Sequence, residues 1–193
     1  MPFDQSILDG IVRMAREQER SLITIDGPCA SGKTTLAAQL AERLSAAVVH
    51  MDDYVIPHAQ KTEERLAVPG GNCDDERLFH EVIRPWKEGM LVRMRQYDCR
   101  LDRLLPEEVL PESNVLILEG SYCNLPLIRQ AADIRFFLDA PWAIREKRLL
   151  GRESPESMKR FYDRWIPLEN AYFSAYELPD PGCIVIKAPI GVT

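Results

Sequence analysis

Gly27-Pro28-Cys29-Ala30-Ser31-Gly32-Lys33-Thr34-Thr35 decides the fold of this chain. The stretch fits the pattern of a phosphate-binding loop: Gly, four residues, then Gly-Lys-Thr. Gly27 and Gly32 permit backbone angles that other residues resist, so the loop can curl and aim its N–H groups at one anion. Lys33 brings a positive charge to the β- and γ-phosphates, and Thr34 offers a hydroxyl to Mg²⁺. Lys33 also opens a helix, whose N-terminal end favours negative charge. The nucleotide-binding set is therefore Gly27, Ala30, Ser31, Gly32, Lys33, Thr34 and Thr35, with ATP and Mg²⁺ as the expected ligands.

Working outward, the flanks agree with the motif. Leu22-Ile23-Thr24-Ile25 is a β-prone apolar run, and a first strand is expected over 21–26. Leu36, Ala37, Leu40, Ala41 and Leu44 recur at three and four residues, one face of a helix over 33–45. Strand, loop and helix in that order separate a phosphate loop from a Gly-rich turn that binds nothing.

The 193 residues suit one domain with a substantial core. The net charge of −6 argues against a basic nucleic-acid face, although a loop and a few arginines set a local field that still suits ATP. The five cysteines include no Cys-x-x-Cys pair, so neither a disulfide framework nor a zinc site is expected. Cys29 lies inside the loop, where a small side chain is the simpler reading than an oxidant sensor. No secretory h-region lies near Met1 and no apolar run is long enough to span a bilayer, so a cytoplasmic, reduced protein without membrane partners is expected.

The rest of the chain alternates strands and helices. A surface helix is expected over 4–19 and a second strand over 46–50, running into Met51-Asp52-Asp53-Tyr54. Acidic residues past a strand's C-terminal end sit where open α/β sheets place ligands. One of the two carboxylates could take a proton from an attacking hydroxyl; a helix cap or a solvated turn fits the spacing equally well. Successive side chains of an extended segment point opposite ways, so Asp52 and Asp53 are expected to differ in role. Residues 55–75, with Pro57, Pro69, Gly70 and Gly71, read as a long irregular connection of the kind used as a substrate loop or lid. Asp74 or Asp75 is placed to cap a helix over about 75–88, which Pro85 should kink. Leu91 to Tyr97 alternates as a short strand, ending at Tyr97-Asp98, with Arg95, Arg100 and Arg103 clustered around it.

Val115-Leu116-Ile117-Leu118-Glu119-Gly120 is the second informative stretch. Four apolar residues in a row suit a parallel strand buried on both faces. Glu119, at its end, matches the acidic position that helps hold Mg²⁺ or its water in phosphate-loop enzymes, with capping as the plainer reading. A helix is expected over 125–132 and a strand over 134–138, ending at Asp139. Pro141 then opens a helix carrying Arg145, Arg148 and Arg152 on one face. Such a row can close over a transferring phosphate, or pair with Glu146 and Glu153 as a solvated face. Residues 155–177 read as helical and aromatic-rich, mostly core and broken at Pro167. A last strand over 183–186 leads into Lys187-Ala188-Pro189, a candidate adenine contact. The pattern implies a parallel sheet with helices on both faces and right-handed crossovers, gathering Lys33, Asp52, Glu119 and Asp139 on one edge.

With these residues collected, the chain resembles the uridine kinase-like branch of phosphate-loop kinases, near phosphoribulokinase and nicotinamide riboside kinase. The resemblance runs from about Leu22 to Ile186. It is carried by the loop with Thr34-Thr35, Asp52-Asp53-Tyr54, Asn72-Cys73-Asp74, Tyr97-Asp98, Glu119-Gly120 and the arginines after Asp139. It implies a three-layer α/β fold with a five-stranded parallel sheet, helices on both faces and an Arg-bearing lid. It also implies a single domain over 1–193, with an N-terminal helix within 1–20, a substrate-binding insertion near 55–110 and the lid near 141–155. ATP or GTP is the implied phosphoryl donor. By the same resemblance Asp52 is the candidate base, Asp74 a ribose-hydroxyl contact and Tyr97 a stacking residue. Arg145 would reach substrate or phosphate, with Arg148 and Arg152 in the lid. The chain departs from uridine kinases after Tyr97-Asp98. Where they carry a pyrimidine-reading histidine, it has Cys99-Arg100-Leu101-Asp102-Arg103.

The function expected from sequence is phosphoryl transfer from Mg·ATP to a hydroxyl of a small molecule, a nucleoside first, with Lys33, Asp52, Arg148 and Arg152 catalytic. Substrate contacts fall to Asp52, Asp74, Tyr97 and Arg145, and metal contacts to Thr34 and Glu119. A sugar, a vitamin or another nucleoside is the alternative acceptor, and a nucleotide-binding regulator or ATPase the alternative class. A nucleic-acid partner is not expected; a homo-oligomer is left open.

Overall fold

The computed structural model describes residues 3–189; residues 1–2 and 190–193 of the single domain expected from sequence lie outside the described residues. Five strands form one parallel sheet: β1 (Ser21–Asp26), β2 (Ala47–His50), β7 (Val115–Glu119), β8 (Ile134–Asp139) and β9 (Ile184–Lys187), in the order β2-β7-β1-β8-β9. This is the α/β architecture expected from the alternating pattern. In register, His50 lies beside Glu119 and Glu119 beside Ile25, so β2, β7 and β1 end level with one another.

Strand alternation divides the apolar residues between two cores. Leu22, Leu116, Leu118 and Val49 face one side, with Trp86 and Ile128. Ile23, Ile25 and Ile117 face the other, where they meet α1 (Gln5–Ala15) and α2 (Lys33–Leu44) through Leu8, Ile11, Leu36 and Leu40. Asp4 caps α1 by accepting the Ser6 N–H at 2.8 Å. The helix stops at Ala15, short of the expected 19, because Ala15 is its last buried position and the residues after it face solvent.

The stretch 55–110 adds nothing to the main sheet. It holds α3 (Glu63–Ala67), α4 (Asp75–Leu78) and α5 (Arg84–Lys87), and two short antiparallel ribbons. One pairs β3 (Arg93–Met94) with β6 (Glu108–Val109), the other β4 (Tyr97–Asp98) with β5 (Arg103–Leu104). The single strand expected over 91–97 is therefore two. Arg77 Nη1 donates to the Arg95 carbonyl at 2.6 Å and the Arg95 N–H is turned toward Glu81 at 3.3 Å, which takes Arg95 out of the ladder.

Neither interior proline breaks its helix. A π-helical turn, Phe79–Ile83, joins α4 to α5 just before Pro85. A second, Phe161–Trp165, joins α8 (Pro155–Arg160) to α9 (Ile166–Ala175) just before Pro167. The wider turn in each case accommodates the missing N–H and the ring where an α-helical turn would clash. The remaining helices are α6 (Pro126–Ala131) and α7 (Trp142–Leu150).

Candidate active site

The phosphate loop joins β1 to α2 at the C-terminal edge of the sheet. Gly27 has φ +137°, and a Cβ there would stand 2.4 Å from the Leu138 carbonyl oxygen, so β8 packs directly on the loop's first residue. Gly32 caps α2 with φ +107°, a left-handed conformation that opens the helix without a side-chain cap. The first N–H groups of α2 have no partner within their own helix, the feature that makes a helix N-terminus suit an anion.

The loop is braced from below by a residue that sequence reasoning missed. Asp26, fully buried at the end of β1, accepts the Gly27 N–H at 2.6 Å, the Asn124 N–H at 2.9 Å and the Tyr172 hydroxyl at 2.7 Å. Burial pushes its carboxyl up to about 6, against the pull of these donors and of Lys33. Lys33 folds back over its loop, donating to the Gly27 and Pro28 carbonyls at 2.7 and 3.0 Å.

The loop forms one end of a cleft of 1220 Å³. On its floor Thr34 Oγ1 donates to Glu119 Oε1 at 3.0 Å, and His50 Nδ1 lies 2.6 Å from the same oxygen. The hydrogen bond to Glu119 raises the His50 pKa. Asp52 lines the cleft from the 3₁₀ turn Met51–Asp53. Its carboxyl is raised by its partly desolvated position, with Lys33 opposing the shift and Glu119 and Glu169 adding to it. The Asp53 backbone carbonyl accepts Arg77 Nη2 at 3.0 Å, and the two aspartates share a 3₁₀ turn rather than the extended segment expected. Thr34 and Glu119 supply the hard oxygen donors that suit Mg²⁺. Among the described residues no group of three or more His, Cys, Asp or Glu side chains is arranged to hold a metal unaided.

Four expected site residues are engaged elsewhere. Asp74 caps α4, accepting the Arg77 N–H at 3.2 Å and pairing with Arg77 Nε at 3.0 Å, and it does not line the cleft. The Tyr97 hydroxyl donates to Asp102, and the ring is buried outside the cleft lining. Arg145 stacks on Trp142, reaches the Ala140 carbonyl at 3.2 Å and donates to the Cys29 carbonyl of the phosphate loop at 3.5 Å, without lining the cleft. Asp139, at the end of β8, pairs with Lys187 on β9. The arginine row is thus divided. Arg148 and Arg152 both line the cleft, Arg148 donating to the Ala30 and Ser31 carbonyls at 3.0 and 2.9 Å and to Pro189 at 2.9 Å, and Arg152, past the end of α7, pairing with Glu153 at 3.0 Å.

Cleft residues that the sequence did not single out come from far along the chain. Glu169 on α9, buried, accepts the Cys29 N–H at 3.0 Å and the Ser121 hydroxyl at 2.6 Å. Phe161 and Trp165, expected as core, form cleft wall, with Arg160 and Arg164 beside them. Lys61 lines the part contributed by the 55–110 stretch, and so does Arg100, one of the three arginines that the sequence clusters around Tyr97-Asp98. Pro189 lies at the edge of the cleft, where adenine contact was expected of its segment. No helix among the described residues is long and apolar enough to cross a membrane.

Residues 22–157 match the family model described as the phosphoribulokinase / uridine kinase family. A cytidylate kinase of Halobacterium salinarum is 30% identical over 132 residues, and one of Halorubrum lacusprofundi is 32% identical over 133. The matched stretch covers 68% of this chain but 58% of the length of each of those relatives. Among solved structures, that of a possible uridine kinase from Bacillus stearothermophilus superposes with a TM-score of 0.72 at 23% identity, covering 94% of this chain and 98% of that one.

Proposed function

Since the chain belongs to the phosphoribulokinase / uridine kinase family, we propose that it transfers the γ-phosphoryl group of ATP to a hydroxyl of a small, nucleoside-type molecule. The observation that carries the proposal is Asp52, set in the cleft beside the phosphate loop within electrostatic reach of Lys33. A protein that only binds nucleotide has no need of a carboxylate there.

In this reading the loop and Lys33 hold the β- and γ-phosphates, Lys33 leaving its loop carbonyls for phosphate oxygens. Mg²⁺ would be held by Thr34 and, directly or through water, by Glu119, taking most of its ligands from phosphate and solvent. Bound there, the ion would neutralise phosphate charge. Asp52 accepts the acceptor's hydroxyl proton as the new P–O bond forms, and the electron pair of the broken bond leaves on ADP. Arg152, released from Glu153, and the cations of α7 and α8 spread charge off the transferring group. The lid assigned to residues near 141–155 and the substrate role of the 55–110 stretch belong to this proposal.

The names of the cytidylate kinases raise a second reading, in which the acceptor atom is a phosphate oxygen. Asp52 disfavours it, since a phosphate acceptor needs no base and its anionic oxygen beside that carboxylate meets like charge. The test is ADP release from Mg·ATP across nucleosides, nucleoside monophosphates, sugars and vitamin alcohols, with Asp52→Asn alongside. An acceptor that accelerates ADP release only with Asp52 intact supports the hydroxyl kinase. Full turnover by Asp52→Asn removes the base, and a flat panel with ATP bound favours the regulator.

A further inference from the structure

His50 and Thr34 share one oxygen of Glu119. Thr34 Oγ1 donates to Glu119 Oε1 at 3.0 Å, and His50 Nδ1 lies 2.6 Å from the same atom. A carboxylate only accepts, so Nδ1 carries the proton between them. The contact is built into the sheet: His50 on β2 is the register partner of Glu119 on β7, and the two side chains leave neighbouring strands side by side. Glu119 is buried and lines the cleft, whereas the His50 ring is half exposed and stands outside the lining.

The two oxygens of Glu119 therefore differ. Oε1 takes both protein donors, and among the described residues Oε2 takes none. The Thr34 hydroxyl spends its proton on Oε1 and keeps its lone pairs for a cation. A carboxylate pinned at one oxygen presents the other in one orientation, and outer hydrogen bonds of this kind tune metal affinity. His50 is also the last residue of β2, directly before the 3₁₀ turn Met51–Asp53, so the same contact ties Glu119 to the turn that carries Asp52.

Resting on the assignment of Thr34 and Glu119 to Mg²⁺ above, we propose that His50 is a positioning residue for the metal. It touches neither ion nor substrate; it holds Glu119 by Oε1 and so leaves Oε2 to the ion or one of its waters.

The test needs no acceptor. Mn²⁺, as the probe ion, is titrated into protein loaded with a non-hydrolysable ATP analogue, and the free ion is read by electron paramagnetic resonance. His50→Ala should weaken Mn²⁺ binding by about tenfold or more. Binding of the analogue in EDTA, and the urea midpoint of the metal-free protein, should stay close to wild type. His50→Asn, whose amide N–H can stand near the place of Nδ1, should recover much of the loss. In a Glu119→Gln background, itself weakened, adding His50→Ala should change Mn²⁺ affinity by less than about twofold, since residues that act through one another are not additive. The proposal is overturned if His50→Ala binds Mn²⁺ like wild type while Glu119→Gln does not, if His50→Asn is no better than His50→Ala, or if the loss persists undiminished in Glu119→Gln. An equal fall in metal-free analogue binding also overturns it, because packing alone would produce that. Wild-type Mn²⁺ affinity in Glu119→Gln removes the metal assignment itself and the role of His50 with it. The kinase reading fails separately: the His50 effects then stand, yet no acceptor accelerates ADP release.

Discussion

The Glu169 carboxylate accepts the backbone N–H of Cys29 at 3.0 Å, across 140 positions of sequence. Its second oxygen accepts the Ser121 hydroxyl at 2.6 Å, and that hydroxyl lies 3.4 Å from Lys33 Nζ. One side chain of α9 thus fixes the outer turn of the phosphate loop and, through Ser121, the rest position of the loop lysine. Any shift of α9 along its axis is felt at Cys29.

Glu169→Ala should leave the buried Cys29 N–H without an acceptor, while the Ser121 hydroxyl keeps the Gly27 carbonyl at 3.2 Å. The expected cost is about 1–3 kcal/mol in stability, seen as a lower urea midpoint. The KM for ATP should rise with it, and Glu169→Gln, which keeps an acceptor oxygen, should recover most of both. Wild-type ATP affinity in the alanine variant would remove the link between α9 and the loop.

The same contact governs the chemistry of Cys29. Burial, with the Glu169 charge beside it, raises the thiol to about 11, so it is protonated at neutral pH. Iodoacetamide at pH 7.5 should label the exposed Cys99 well ahead of Cys29, as mass spectrometry of tryptic peptides would report. Preferential labelling of Cys29, suppressed by ATP, would mean that the loop opens far enough to ionise it.

What the sequence made legible is what repeats along it. Residues 115–118 form an unbroken apolar run, and 22–25 one interrupted only by Thr24, because their strands are buried on both faces, and the loop between β1 and α2 is fixed by local backbone demands at Gly27 and Gly32. Thr34 and Glu119 meet because each sits at the end of an element whose register is set by such runs. Asp26 and Glu169 left no such signal. Each is a single carboxylate whose meaning depends on donors more than 90 residues away, Asn124 and Tyr172 for one and Cys29 for the other. Spacing made Asp74 legible as a helix cap, the place the structure gives it, whereas the ribose contact rested on the resemblance alone. Pro85 reads as a kink and Pro167 as a break because α-helical geometry was assumed, whereas a π turn precedes each.

Asp26 makes a pH-dependent prediction. Its folded pKa of about 6 lies above the ordinary 3.8, so between those values the folded state holds the proton more tightly than the unfolded chain. The group's contribution to stability therefore falls as pH rises through that window and is level above it. Asp26→Asn has no such titration. Relative to it, the wild type should lose about 3 kcal/mol of stability between pH 3.5 and pH 7. Urea unfolding of both proteins at the two pH values measures this directly, and parallel profiles would show that Asp26 titrates at its ordinary value.

Arg148 separates two roles that the sequence could not. Its guanidinium joins the Ala30 and Ser31 carbonyls of the loop to Pro189 beyond β9, three acceptors that a single ammonium cannot span in the same geometry. If Arg148 acts chiefly as this tie, Arg148→Lys and Arg148→Ala should both lower the melting temperature and raise the KM for ATP, with kcat reduced no more than severalfold. If instead its charge stabilises the transferring phosphoryl group, Arg148→Ala should lower kcat by about a hundredfold or more, and Arg148→Lys should restore a large part of that loss. The hydrogen bonds to three carbonyl oxygens favour the first outcome. A kcat collapse in Arg148→Ala at unchanged melting temperature would return the residue to the catalytic set.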